Sequence, residues 1–255
     1  MNNKTIQVAA IAAVLSGMVI TPSFASADGK GITYGSTGTV EFNPGSYSTG
    51  PVDPENPDPE KPVDPVVSPN SGTGSPLSID YASKLDFDAI EISNKNMTYS
   101  AKALDLRSDG KSRYVPNYVQ ISDTRGTNAG WTLTVKQEGQ LSNVMTQHKE
   151  LTGSQIKFVK PIVKGKTEVT PPTATKEITL DPNGAESVIM SAKPTEGAGL
   201  WVNYWGTVDE MTGTQGEKIQ KNNAISLTIL GKIPKDAVKY STKLTWNLSD
   251  VPSNK

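Results

Sequence analysis

Cysteine is absent from this chain of 255 residues, and histidine occurs once, at His148. These shortages remove disulfide scaffolds, thiolate metal sites, cysteine nucleophiles and every paired-histidine metal motif, and they leave a single imidazole for acid–base work. An excess of positive charge is also missing, because 25 Lys and Arg stand against 26 Asp and Glu. A general nucleic-acid binder is expected to be markedly basic, so that class is set aside. Acidic neighbours occur at Asp86 and Asp88 and at Asp209 and Glu210, but in no recognisable motif. Ser108 and Lys111 have the bare Ser-x-x-Lys spacing without its companion motifs. With no catalytic constellation, no calcium loop and no metal motif, the expectation is a protein that is not an enzyme and carries no cofactor.

What the chain does contain begins with an address. Residues 1–27 hold Lys4, an apolar run from Val8 to Ile20, and then Ala25-Ser26-Ala27. Small residues three and one positions before a cut fit signal-peptidase cleavage, so the mature chain is expected to start at Asp28. Beyond this run nothing approaches the ~18 consecutive apolar residues of a spanning helix. The closing residues from Asp250 to Lys255 show no sortase-type sorting signal. Retention at the surface of the producing cell is therefore expected to be non-covalent.

The mature chain divides by composition. Residues 28–50 include Thr39-Val40-Glu41-Phe42, which alternates like a short strand. Residues 51–75 read as a proline- and acid-rich linker, with seven prolines between Pro51 and Asn70. Such a stretch has little apolar surface to offset ordering entropy and favours an extended spacer. From 76 to 255 the pattern becomes short period-two runs: Leu77–Tyr81, Trp131–Val135, Ile225–Ile229 and Leu244–Leu248. Asp181-Pro182-Asn183-Gly184 carries hairpin chemistry between two further runs. Only Leu141, Val144, Met145, His148 and Leu151 have helical spacing, which leaves room for one short helix over 141–151. The expected fold is all-β, an antiparallel β-sandwich.

Two segments carry a family likeness. The first is Asn117-Tyr118-Val119-Gln120-Ile121-Ser122-Asp123-Thr124-Arg125-Gly126, running on to Trp131-Thr132-Leu133; the second is Tyr240 to Pro252 with Trp246-Asn247-Leu248. With Thr39–Gly45, the proline-acid segment, the start at Pro76–Tyr81 and the Gly197–Gly206 stretch, the chain resembles the WxL-domain surface proteins of low-GC Gram-positive bacteria. The resemblance implies a secreted protein held non-covalently on the cell wall, with peptidoglycan or an associated polymer as partner. It further implies assembly with other exported surface proteins encoded beside it, and no enzymatic activity. A different reading of the same export signal is an adhesin whose ligand lies on a host or plant surface.

The motif residues have a plain structural role to fill. Residues two apart on a strand share a face, so Trp131 and Leu133, like Trp246 and Leu248, are expected in the core. For contact with a glycan the better chemistry lies in Gly197–Gly206. There Trp201, Asn203 and Trp205 share one face and offer rings and an amide to a sugar, and at least one aromatic of this strand is expected near the surface.

Overall fold

The computed structural model describes residues 32–46, 49–66, 71–108, 111–212 and 216–251; the expected signal sequence and its cleavage point at Asp28 lie outside them. The chain divides into two units, Met1–Glu41 and Phe42–Lys255. The described part of the first, residues 32–41, contains no strand, and Val40 and Phe42 are exposed. The strand expected over 39–42 does not form, since its two apolar residues find nothing to pack against.

Among the described residues the second unit holds sixteen strands: β1 Asp64–Pro65, β2 Leu77–Ala82, β3 Met97–Lys102, β4 Leu104–Ser108, β5 Lys111–Val115, β6 Tyr118–Asp123, β7 Trp131–Gln137 and β8 Gln155–Val159, followed by β9 Pro161–Gly165, β10 Thr173–Ala174, β11 Glu177–Thr179, β12 Ser187–Ala192, β13 Gly199–Trp205, β14 Val208–Thr212, β15 Lys218–Ile229 and β16 Leu244–Ser249. All strand pairings are antiparallel. They form four sheets, ordered β2-β6-β13-β9, β10-β12-β7-β16, β11-β8-β15-β14 with β3 also on β15, and β1-β4-β5. The all-β antiparallel class is what the chain adopts, and the four sequence runs with clear alternation lie within β2, β7, β15 and β16.

Two local expectations fail for identifiable reasons. No helix forms over 141–151. That stretch is a loop whose ends meet, with Leu151 donating its N–H to Leu141 O at 2.9 Å and Ser142 exchanging main-chain hydrogen bonds with Ser241. Asp236 on the neighbouring segment holds the loop from within by accepting from Thr146 and His148, so long-range contacts override the i, i+3, i+4 pattern. The turn at Asp181–Gly184 does form, with Gly184 at φ 88° and its N–H on Asp181 O at 3.1 Å. It joins β11 to β12 in different sheets and closes no hairpin.

Three sheets converge on the main core, where Ile121, Trp131, Leu133, Phe158, Met190, Trp205 and Ile225 are fully enclosed. A second, smaller core lies on the opposite face of the β2-β6-β13-β9 sheet. It contains Tyr81, Tyr118, Val202 and Tyr204 from that sheet, Leu106 and Val115 from β4 and β5, and Val52 and Val63 from the proline-rich segment.

That last contribution corrects the spacer expectation for residues 51–66. Val52 is 0% exposed and Val63 is buried. The segment is held as a strap over the sheet, because its main-chain groups find partners that an isolated polyproline run lacks. Val52 donates its N–H to Gln120 Oε1 at 2.9 Å, Gln120 Nε2 donates to Gly50 O at 3.0 Å, and Val63 N–H reaches Pro51 O at 2.8 Å. Asp53 and Asp58 each accept the N–H two residues on, making two tight turns at the tip. Beneath the strap Asp80 accepts from the hydroxyls of Ser78 and Ser122, both at 2.6 Å, and from Gln120 Nε2 at 3.2 Å. Burial nevertheless pushes the Asp80 carboxyl above its ordinary range.

Candidate functional site

The two Trp-x-Leu tripeptides, 115 residues apart in sequence by the difference of 131 and 246, are neighbours in space. β7 and β16 lie side by side, with Leu248 opposite Leu133 and Trp246 opposite Val135. Trp131 is 0% exposed and donates its indole N–H to Gly197 O at 3.0 Å. Gly197 sits at φ 69°, and a side-chain carbon there would lie 2.5 Å from Ala192 Cβ and 3.0 Å from the Trp131 nitrogen. The indole and the glycine turn are thus one fitted unit. Leu133 is fully buried beside it, whereas Trp246 and Leu248, on an edge strand, are half-buried against the same core. Trp246 stands 6.5 Å from Trp205, which in turn stands 4.9 Å from Phe158. These three rings bring three sheets together.

Asp123 and Arg125, inside the run that leads to the first tripeptide, form a two-point ion pair at 2.9 and 2.7 Å. Arg125 also donates to Gly130 O at 2.8 Å, so the guanidinium closes the turn that delivers Trp131 to its strand. This role was not foreseen from the sequence, although an Asp-x-Arg pair before a glycine turn is a legible signal for it.

Trp201, Asn203 and Trp205 do not reach the surface. They are 2%, 0% and 2% exposed, and the even-numbered residues Val202 and Tyr204 are buried as well. β13 is enclosed on both faces, by the main core on one side and by the strap with β4 and β5 on the other. A ring in that position has no free face for a sugar, which corrects the expected surface exposure. The Asn203 amide and the Trp205 N–H have no hydrogen-bond partner in the interior. Trp201 donates to Ala198 O at 3.0 Å.

The carboxylate neighbours are engaged elsewhere. Asp86 and Asp88 share Lys102 at 3.5 and 3.0 Å, and Asp88 also meets Lys221 at 3.3 Å. Glu210 is paired with Lys218 at 2.7 Å on the exposed β14 strand. His148 lies 2.8 Å from Asp236 through Nδ1, in the pinned loop. Among the described residues no group of three or more metal-ligating side chains is assembled, and no helix is long and apolar enough to cross a membrane.

A groove of about 830 Å³ lies between the tip of the strap and β9 with the residues after it. Both signs of charge line it. Arg113 pairs with Asp53 and, at 2.7 Å, with Glu55; Lys166 pairs with Asp58 at 2.8 Å; Lys164 donates to Glu55 O at 2.7 Å. The Lys166 hydrogen bond holds the Asp58 carboxyl below its ordinary value. Strap and strand are therefore joined across the groove by contacts that are largely open to water, while Trp201 forms part of its floor without an exposed face. Such an arrangement suits a polar ligand with amine, carboxylate and amide groups better than a flat sugar face.

Neither a comparison with curated proteins nor one with solved structures gives a match. A family model described as WxL domain, surface cell wall-binding, matches residues 29–252 and so takes in the paired tripeptides, the strap and the groove together. The chain therefore belongs to the WxL-domain family of surface cell wall-binding proteins.

Proposed function

We propose that this protein binds peptidoglycan, non-covalently, through the folded unit that starts at Phe42. The family is one of wall binding at the cell surface, and the observation that carries the finer reading is the span of the match. Residues 29–252 coincide with nearly the whole described chain, so recognition belongs to the intact β-structure and not to a detachable tail. The burial of Trp131 and Leu133 supports a structural role for the first motif. The surface that meets the polymer is then formed by other residues, and the large mixed-charge groove is the feature best suited to it. Assembly with other exported surface proteins is part of the same proposal and rests on the family resemblance.

The test is sedimentation of the purified protein with isolated walls, with and without prior stripping of teichoic acid, alongside immobilised host matrix proteins. Binding that survives stripping and is released by chaotrope without muramidase is the expected result. Binding lost on stripping would move the ligand to teichoic acid, and binding to matrix proteins alone would favour the adhesin reading.

A further inference from the structure

Resting on the peptidoglycan reading, we propose that the groove beside β9 receives an extended peptide bearing free amine and carboxylate groups, added as a strand to the edge of the sheet. In this arrangement the protein grips the peptide arm of the wall polymer and not its glycan strand.

The hydrogen-bond parity of β13 carries the argument. Gly206 donates its N–H to Lys160 O at 3.0 Å, and Trp205 donates to Asn117 O at 3.3 Å. In an antiparallel ladder the bonded pairs alternate, so even-numbered residues of β13 bond towards β9 and odd-numbered ones towards β6. The paired register then assigns the β9 side of the ladder to Lys160, Ile162 and Lys164. The main-chain groups of Val163 and Gly165 point the other way, off the edge of the sheet. Among the described residues none of these groups has a hydrogen-bond partner, and both residues line the groove. Pro161, which has no N–H to give, occupies another outward position of the same parity, as proline on an edge strand must. A free edge of this kind binds an extended peptide through main-chain hydrogen bonds.

The walls match the rest of a peptide. Arg113 and Lys166 can take carboxylates, and Asp53, Glu55 and Asp58 can take an ammonium group. Their present pairings are partly exposed, so exchanging one partner for a ligand group costs little. Gly165 leaves the floor flat against the indole, since a side-chain carbon there would lie 2.7 Å from both Leu200 O and the Trp201 ring. The same close approach covers that ring, which removes the stacking surface that a neutral glycan would use.

The experiment is calorimetric titration of the full-length mature protein with three probes: a muropeptide (disaccharide with its peptide), the same disaccharide freed of peptide by an amidase, and the free peptide. Each is repeated with Val163→Pro, which deletes an outward N–H without breaking the ladder to β13, and with the double variant Arg113→Gln, Lys166→Gln. Thermal melts of each variant establish that it is folded; should Val163→Pro fail to fold, the charge variant carries the test alone. Muropeptide and free peptide should bind comparably, the bare disaccharide at least tenfold more weakly, and each folded variant should lose roughly tenfold in affinity, the worth of one or two polar contacts. Equal binding of bare disaccharide and muropeptide, or wild-type affinity in the folded variants, overturns the proposal. Sedimentation with whole peptidoglycan separates the two levels. If the wild type pellets with it undiminished by amidase, only the peptide assignment fails, whereas no pelleting at all overturns the peptidoglycan reading and this inference with it.

Discussion

Replacing Trp131 by alanine removes an indole with no exposed surface and leaves the Gly197 carbonyl without its donor. Truncating a buried tryptophan costs about 3–5 kcal/mol. A carbonyl deprived of its buried partner adds about 1 kcal/mol or more. For a domain of this size each kcal/mol lowers the melting temperature by roughly 2–4 °C, so Trp131→Ala should melt roughly 10–20 °C below wild type. Relaxation around the site is restricted, because Gly197 and Ala192 are already fitted to the ring. Trp246→Ala should cost less, about 1–3 kcal/mol, since that indole is half-buried on an edge strand. Scanning calorimetry and urea titration followed by far-ultraviolet circular dichroism would rank the two. Wall sedimentation at a temperature where both variants are folded would then show binding retained. The reasoning is refuted if Trp131→Ala melts within about 2 °C of wild type, or if it stays folded and no longer binds walls.

Val52→Ala should cost about 1–3 kcal/mol, because the side chain fills the second core, and limited proteolysis should then cut between residues 53 and 61; a cleavage pattern identical to wild type would mean that burial does not hold the strap. Asp236 accepts hydrogen bonds from the Thr146 hydroxyl and, at 2.8 Å, from the His148 N–H, and these, with the His148 ring, hold its carboxyl well below the ordinary 3.8. A folded value below the unfolded one means that the stabilisation is present above the unfolded value and is lost as pH falls towards the folded one. The gap in urea midpoint between wild type and Asp236→Asn should therefore narrow from about pH 5 to about pH 2, and a constant gap would show that the carboxylate charge does not pin the 141–151 loop.

The alternation at Leu77–Tyr81, Trp131–Val135, Ile225–Ile229 and Leu244–Leu248 was legible because a strand with one buried face writes a period of two into the chain. Those residues alone were sufficient for the antiparallel all-β class and for the core placement of Trp131 and Leu133. The order of the tripeptides, the proline-acid run and the tryptophan-rich strand was also sufficient for the family. Turn chemistry at Asp181–Gly184 correctly placed a reversal, but a turn is a local event and says nothing of which sheet each arm will join.

What only the tertiary structure decided were the contacts between segments distant in sequence. In β6, Val119 and Ile121 alternate with Gln120 and Ser122, which gives the strand one apolar and one polar face. The polar face is in fact covered by residues 49–52, whose main chain Gln120 satisfies. That one contact turns an expected spacer into a strap, encloses β13 on both faces and withdraws Trp201 and Trp205 from the surface. Composition could not reveal it, because two valines eleven residues apart in a proline-rich run carry no periodicity. Their burial depends on a sheet surface assembled from β2, β6 and β13, which pairs residues 37 to 86 positions apart and exists only once the chain has folded.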